Sequence, residues 1–217
     1  MTAIHVFNRS RRRSNGITVT EMLIAVAILA VLAAIAAPNL SELFIRNRLE
    51  TAANEFMAAL SLTRSEAIRR GQEVAIRRTS PTSRDWTQGW EIYVELDAAG
   101  ASGYCQRDTS GGSEEQLINV GQPLLAPLSL RSTYGMRNCI VFSPDGRSDV
   151  RDFVTSPADD AFILCHGGQV NDDGKSRSRA IVVSRTGRIR RAEDLNGDGF
   201  AESDRGNRIN DCNAVMS

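Results

Sequence analysis

The feature that most constrains this chain of 217 residues is an apolar run near its N-terminus, preceded by a single acidic residue. Residues 22–37 contain no polar side chain, and Glu21 stands directly before them. A carboxylate at membrane depth costs several kcal/mol unless it has a partner or loses its charge. The nearest cation would be the α-amino group that cleavage after Gly16 creates at Ile17. The run therefore predicts a membrane helix whose charge is neutralised by a processed N-terminus.

The residues before the run set its orientation. Residues 1–16 hold four arginines (Arg9, Arg11, Arg12 and Arg13) and no acid. The positive-inside rule keeps such a leader in the cytoplasm and sends the C-terminal part across the inner membrane into the periplasm. Since the leader holds four of the 26 basic residues and none of the 26 acidic ones, the remainder carries 22 against 26, a net charge near −4. Bulk attraction to nucleic acid is therefore not expected, and any such binding requires a local patch.

The same residues carry a family resemblance. A short basic leader ending in Gly16, an acid at the fifth position after it, a long apolar helix and Pro38 at the twenty-second position resemble the class III signal of type IV pilins and type II secretion pseudopilins. Two positions depart from that pattern: Ile17 replaces the usual Phe, and Thr20 replaces an apolar residue. The resemblance implies cleavage between Gly16 and Ile17 by a prepilin peptidase, methylation of the Ile17 amine, and assembly with other pilins or pseudopilins.

The rest of the chain predicts an α+β fold, with one long N-terminal helix packed on an antiparallel β-sheet. An apolar stripe at helical spacing continues to a predicted helix end at Gly71. It comprises Leu40, Leu43, Phe44, Ala52, Ala53, Phe56, Leu60, Ala67 and Ile68. From residue 73 the period becomes two, and strands are predicted at 74–76, 90–96, 116–120, 124–131, 139–142, 161–165 and 179–184. The predicted parts are a leader (1–16), a transmembrane or filament-core helix (17–38), its amphipathic continuation (39–71) and a β-rich periplasmic domain (72–217).

Motifs in the second half narrow the resemblance. Residues 86–90 (WTQGW), the acidic pair Glu114 and Glu115, and residues 184–190 (SRTGRIR) look like the FimT/GspH group of minor pilins and pseudopilins. In the FimT-like branch a GRxR motif is implicated in DNA binding during uptake. The resemblance therefore implies DNA contacts from Arg188 and Arg190, with Arg191 beside them. Further arginines that could extend this patch are Arg177, Arg179 and Arg185.

The four cysteines follow the predicted membrane segment and are expected in an oxidising compartment, where an even number favours disulfides. They are Cys105, Cys139, Cys165 and Cys212. Three pairings are open. We expect Cys139 to pair with Cys165, because both lie on predicted strands joined by a turn-containing segment, which leaves Cys105 to pair with Cys212.

One loop has the oxygen pattern of a calcium site, and no cofactor other than Ca²⁺ is suggested. Side-chain oxygens recur at alternate positions in Asp194, Asn196, Asp198 and Glu202, with a backbone carbonyl available at Phe200. Arg205 stands where an EF-hand loop carries its bidentate Glu, so a solvated Asp/Asn/Gly turn is the alternative.

The sequence favours a structural protein over an enzyme. His166 is the only histidine after the leader, and it has no recognisable triad or metal-ligand spacing. The expected function is that of a minor pilin in a type IV pilus, with a part in pilus biogenesis or DNA uptake. The alternatives are a type II secretion pseudopilin, a secreted β-rich binding domain released by an ordinary signal peptidase after residues 34–36 (AIA), an uncleaved single-span anchor, and a hydrolase using His166.

Overall fold

The structure is a computed structural model that describes residues 16–82, 84–96, 107, 115–133, 138–149, 161–170 and 176–193. Residues 34–39, 42, 149, 168–170, 176 and 177 are described by their backbone alone. Within this part the chain forms one helix and nine strands. They are α1 (Val19–Arg70), β1 (Val74–Arg78), β2 (Trp90–Val94), β3 (Leu117–Val120), β4 (Leu128–Ser132), β5 (Cys139–Phe142), β6 (Ser148–Asp149), β7 (Ala161–Val170), β8 (Ser176–Val183) and β9 (Ile189–Arg191).

Helix α1 has a defined start and a defined end. Thr18 caps the start, because its Oγ1 accepts a hydrogen bond from the Glu21 backbone N–H at 3.2 Å. The helix ends where Gly71 takes a positive φ of 66° and donates its N–H to the Ala67 carbonyl at 3.0 Å. The end predicted at Gly71 is therefore confirmed. In the last turn, hydrogen bonds from Arg69 and Arg70 lower the pKa of Glu66 to about 2.

The chain divides into two compact units, Met1–Phe44 and Ile45–Ser217. In the first unit, the large apolar side chains of residues 17–32 are each more than half exposed. Among the residues whose side chains are described, no helical stretch is both long enough and apolar enough to cross a membrane.

The second unit contains two antiparallel sheets where the sequence predicted a single one. The first has strand order β3-β2-β1-β5-β6, and the second has order β4-β7-β8-β9. The strand predicted at 124–131 begins instead at Leu128, directly after Pro127, since proline has no N–H to donate to a ladder. Strand β4 then pairs with β7, with Leu128 opposite His166. The chain thus leaves the first sheet after β3 and returns to it at β5.

The second half of α1 supplies one side of the core, and the inward faces of both sheets supply the rest. Phe56 lies at its centre and makes edge-to-face contacts with Trp86, Trp90 and Phe162 at centroid distances of 5.7, 4.9 and 4.6 Å. The apolar stripe predicted on α1 is confirmed at Ala52, Ala53, Phe56, Leu60 and Ala67, which are buried. It is wrong at Leu40, Leu43, Phe44 and Ile68, which are exposed because the second unit begins only at Ile45 and Ile68 borders a surface cavity.

Candidate functional site

The predicted cleavage point lies in an accessible, non-helical segment. Residues 16–18 precede α1, and Gly16 and Ile17 are both exposed, with Ile17 at 77%. Glu21 lies in the first helical turn and is also exposed. The helix dipole favours a carboxylate at this position. Residues 16–21 thus bring together the bond predicted to be cleaved, the amine that cleavage would create and an acid.

A second candidate site is built on two turns that share one sequence pattern. Residues 143–147 (SPDGR) and 184–188 (SRTGR) each begin with Ser and end with Gly-Arg. In each turn the glycine N–H donates to the serine carbonyl at 2.8 Å, and the serine N–H donates to the arginine carbonyl at 2.9 Å. Gly146 and Gly187 both have positive φ, at 79° and 76°, which explains why glycine occupies these positions.

The twin turns, as we call residues 143–147 and 184–188, lie against each other and join the two sheets. A Cβ placed on Gly187 would lie 1.9 Å from the Gly146 carbonyl oxygen. Ser148, at the start of β6, donates its hydroxyl to the Ser184 carbonyl at 2.7 Å. Arg64 of α1 completes the junction by donating its Nε–H to the Gly146 carbonyl at 2.9 Å.

Beside this junction is an open cavity with a cationic and an apolar side. Its volume is about 310 Å³, and it is lined by Ser61, Arg64, Ser65, Ile68, Arg188 and Ile189. Both serine hydroxyls donate to carbonyls of their own helix, at 2.8 and 2.9 Å. The guanidinium groups are therefore the strongest donors that can face a ligand here, and they suit a phosphate or carboxylate oxygen.

The twin turns also expose a group of arginines. Arg147, Arg185 and Arg188 are all exposed, and within the described part of the chain none of their side chains forms an ion pair with an acidic residue. Together with Arg64 they form what we call the twin-turn arginine cluster. Sequence reasoning missed Arg64 and Arg147. The repeated Ser-x-x-Gly-Arg pattern could have indicated that Arg147 belongs beside Arg188.

Three other arginines of the predicted patch, Arg179, Arg190 and Arg191, are engaged within the fold, and the side chain of Arg177 lies outside the described part. Glu50 of α1 binds Arg179 of β8 at 2.6 Å and Arg191 of β9 at 2.5 Å. Burial alone would raise the pKa of Glu50, but hydrogen bonds and positive charge from the two arginines outweigh it and lower this pKa. Arg191 also donates to Asn54 at 2.5 Å, and Arg190 donates to the Arg191 carbonyl at 3.1 Å. Of the three arginines predicted to contact DNA, the structure brings only Arg188 to the cluster.

The remaining predicted sites are placed as follows. Cys139 and Cys165 are both disulfide-bonded, whereas Cys105 and Cys212 lie outside the described residues, so their pairing stays a prediction. The predicted calcium loop, 194–202, also lies outside the described residues. Elsewhere, the described residues include no group of three metal-binding side chains. His166 lies half-buried in β7.

Comparison with known proteins places these features in a family. The family described as type II transport protein GspH matches residues 52–187, and the prokaryotic N-terminal methylation motif matches residues 11–37. A fimbrial protein of Pseudomonas aeruginosa is 29% identical over 111 residues, which cover 51% of this chain and 71% of that protein.

Two solved structures are also similar. The type IV minor pilin FimU of Pseudomonas aeruginosa is 23% identical, with a TM-score of 0.48 over 68% of this chain and 90% of that one. The minor pseudopilin EpsH from the type 2 secretion system of Vibrio cholerae is 15% identical, with a TM-score of 0.40 over 66% of this chain and 95% of that one. Because the GspH match covers more than half of the chain and the methylation motif precedes it, this chain belongs to the GspH family of minor pilins and pseudopilins.

Proposed function

We propose that the chain is a minor pilin of a type IV pilus, made as a precursor and processed at its N-terminus before assembly. A prepilin peptidase removes residues 1–16 and methylates the Ile17 amine. The observation that carries the proposal is the exposed, non-helical bond between Gly16 and Ile17, followed directly by a helix with Glu21 in its first turn.

The exposed apolar side chains of the first unit support a location in the membrane before assembly and in the filament after it. Its large side chains, including Leu23, Val26, Leu29 and Leu32, are 57–64% exposed, so they need apolar surroundings that the described part of the chain does not supply. Lipid provides these surroundings while the subunit waits in the inner membrane with its C-terminal domain in the periplasm. Helices of neighbouring pilins provide them after assembly.

Glu21 then has its task in the assembled filament. In the low-dielectric interior of a helical bundle, its carboxylate neutralises the methylated N-terminal amine of a neighbouring subunit. An unpaired charge at that depth costs several kcal/mol, so the pairing fixes the height at which one subunit meets the next.

The N-terminus of the mature chain tests the processing step. The chain is purified from cells that contain a prepilin peptidase, and its intact mass and N-terminal peptide are measured. The expected result is a chain that begins with methylated Ile17, and a Gly16→Val variant should keep residues 1–16. A chain that begins at Ala37 would identify an ordinary signal peptidase and overturn the proposal.

The assembly step is tested with Glu21→Gln, which removes the charge and keeps the shape. The variant should still insert in the membrane but enter sheared pili at less than about a tenth of the wild-type level. The reason is that an unpaired amine in the filament needs to cost only about 1.4 kcal/mol to lower incorporation tenfold. Glu55→Gln is the matched control, because Glu55 is exposed on the same helix beyond the first unit. Normal incorporation of Glu21→Gln would contradict the pairing.

The same processing serves a type II secretion pseudopilin, which is the alternative named by the matching family. Deletion of the gene distinguishes the two functions. Loss of surface pili would support a minor pilin of a type IV pilus, and loss of secreted proteins would support a type II secretion pseudopilin.

The twin-turn arginine cluster supports a second function, the binding of DNA. Arg64, Arg147, Arg185 and Arg188 place four guanidinium groups around two adjoining turns, with Asp145 as the only acidic side chain in either turn. Guanidinium groups suit phosphate oxygens, and the binding is expected to be independent of base sequence, since phosphates carry none.

Removal of two of these charges tests DNA binding. The variant Arg185→Ala with Arg188→Ala should weaken retention of double-stranded DNA at low salt and reduce the slope of log K against log salt by about 2. Arg69→Ala is the matched control, because Arg69 is an exposed arginine that pairs with Glu66. Unchanged retention in the double variant would refute this function and leave the pilin assignment intact.

A further inference from the structure

One large apolar side chain of the second unit lies at the surface beside the twin turns. Ile68 is the last member of the apolar stripe on α1, yet it is 52% exposed and lines the cavity there. It lies close to one of the turns, because a Cβ on Gly146 would be 2.9 Å from Ile68 Cδ1. Ile189 of β9, which packs against the core, is the other large apolar residue of the lining. The cavity therefore has an apolar wall that the fold only half covers.

The guanidinium group of Arg64 is held beside this wall by the backbone of the turns. Its Nε–H donates to the Gly146 carbonyl at 2.9 Å. A Cβ on Gly146 would lie 3.2 Å from this nitrogen, and a Cβ on Gly187 would lie 3.0 Å from it, so both glycines leave room for the guanidinium group. Because the bond to Gly146 uses Nε, the terminal nitrogens of Arg64 can donate to a ligand from a position that is already fixed.

The charges around the cavity suit a polyanion better than a single carboxylate. Arg188 lines the cavity together with Arg64, and Arg147 and Arg185 are exposed on the same twin turns. None of the described residues of the lining is acidic. Asp145, the acidic residue of the turns, accepts a hydrogen bond from the Arg147 backbone N–H at 3.0 Å. Arginines spread over two turns can follow successive phosphates of one strand, whereas a protein carboxylate would occupy only part of them.

The concave shape of the cavity distinguishes a single strand from a duplex. The bases of a duplex are paired and stacked, so a duplex offers mainly its phosphates to surface arginines. An unpaired nucleotide can instead turn its base into a cavity of about 310 Å³, a volume at the lower end of the range for ligand sites. Guanidinium planes and apolar side chains are surfaces against which such bases pack. A duplex would first have to unpair, at a free-energy cost that a single strand does not have.

We infer that this cavity is a binding site for one unpaired nucleotide of single-stranded DNA. The phosphate of the nucleotide lies on the guanidinium groups of Arg64 and Arg188, and its base lies against Ile68. Arg147 and Arg185 contact flanking phosphates of the same strand. The inference rests on the DNA-binding function proposed above and deepens it. The arginines supply attraction to any DNA, and the apolar wall of the cavity adds a preference for the unpaired form.

Fluorescence anisotropy of the full chain in detergent micelles tests this preference. The probes are a labelled oligo(dT) and a labelled duplex of the same length, both at the same low salt concentration. The wild type should bind oligo(dT) more tightly than the duplex. Ile68→Ala should lower the oligo(dT) affinity about fivefold, the lower end of the cost of losing a surface on which a base stacks, and leave the duplex affinity unchanged. Leu125→Ala is the matched control, because Leu125 is 84% exposed and lies outside the cavity lining.

The outcomes separate this inference from the function on which it rests. If Ile68→Ala binds oligo(dT) as the wild type does, or if the wild type binds both probes equally, the nucleotide site is overturned and DNA binding by the arginines stands. A wild-type chain that binds neither probe would refute DNA binding itself. Displacement of oligo(dT) by an equal concentration of polyglutamate would identify an acidic protein as the ligand and would also overturn the site. Equal Tm values of Ile68→Ala and the wild type show that the loss of affinity is local, as expected for a half-exposed side chain.

Discussion

Replacement of Phe56 by Ala tests whether the second half of α1 is the centre of the core. The ring is 1% exposed and contacts Trp86, Trp90 and Phe162 edge to face. Truncation of a buried Phe costs about 3–5 kcal/mol, and each edge-to-face pair contributes about 0.5–1.5 kcal/mol beyond its buried area. The measured truncation range already includes the lost ring contacts, and three pairs are lost here, so we expect a cost at its upper end, about 4–5 kcal/mol. This is a large part of the roughly 5–15 kcal/mol that stabilises a domain.

Urea unfolding of the full chain in detergent micelles measures this cost. Tryptophan fluorescence is a suited probe, because the chain has two tryptophans and both contact Phe56. With a slope of about 2 kcal/mol per molar urea, the midpoint should fall by about 2 M. Phe44→Ala is the matched control on the same helix, since Phe44 is 58% exposed and its loss should change the free energy of unfolding by less than about 0.5 kcal/mol. Equal midpoint shifts in the two variants would refute the reasoning.

Two other substitutions test the junction and the ion pair. Gly187→Ala should destabilise the chain by about 3 kcal/mol, because the new Cβ would lie 1.9 Å from the Gly146 carbonyl oxygen. Gly71→Ala is the control and should cost about 1 kcal/mol, because Gly71 has a similar φ but a Cβ there would have nothing within 4 Å. Thermal unfolding of the two variants compares these costs, and equal costs would show that the turns do not touch. Glu50→Gln should cost about 1 kcal/mol at pH 7 after solvent screening. Because Arg179 and Arg191 lower the pKa of Glu50, the stabilisation from this ion pair is fully present above the ordinary pKa of 4.5 and is lost as the pH falls through the lowered pKa. The urea midpoints of the variant and the wild type should therefore converge in acid. A difference between the midpoints that stays constant with pH would contradict the ion pair.

The features that sequence could predict are those with local causes. A leader, a glycine and an acid five residues apart carry the resemblance that the match to the N-terminal methylation motif confirms. The helix stop at Gly71 needs only its own φ and the carbonyl of the preceding turn. Strand β5 was predicted at its observed bounds, because a short β-branched and aromatic run bounded by a turn has few other ways to fold.

The features that sequence could not predict depend on distant partners. Nothing near Glu50 indicates that its arginine, Arg179, lies 129 residues away, or that Arg191 is held there instead of facing solvent. For the same reason the two sheets were predicted as one, since periodicity reveals that a strand exists but not which strand lies beside it. In the sequence, Arg64 is like any other polar residue of a helix, and only the fold shows that it donates a hydrogen bond to the turn at Gly146.

The contacts of α1 also determine when this domain can become native during the export proposed above. Phe56 needs Phe162 from β7, and Asn54 accepts a hydrogen bond from Arg191, which follows it by 137 residues. Contacts of such long sequence separation form late and slow the folding of the chain. On the proposed export route, Phe56 therefore stays partly uncovered until β7 has crossed the membrane. A subunit truncated before β7 would then keep its helix but leave one side of its aromatic core open.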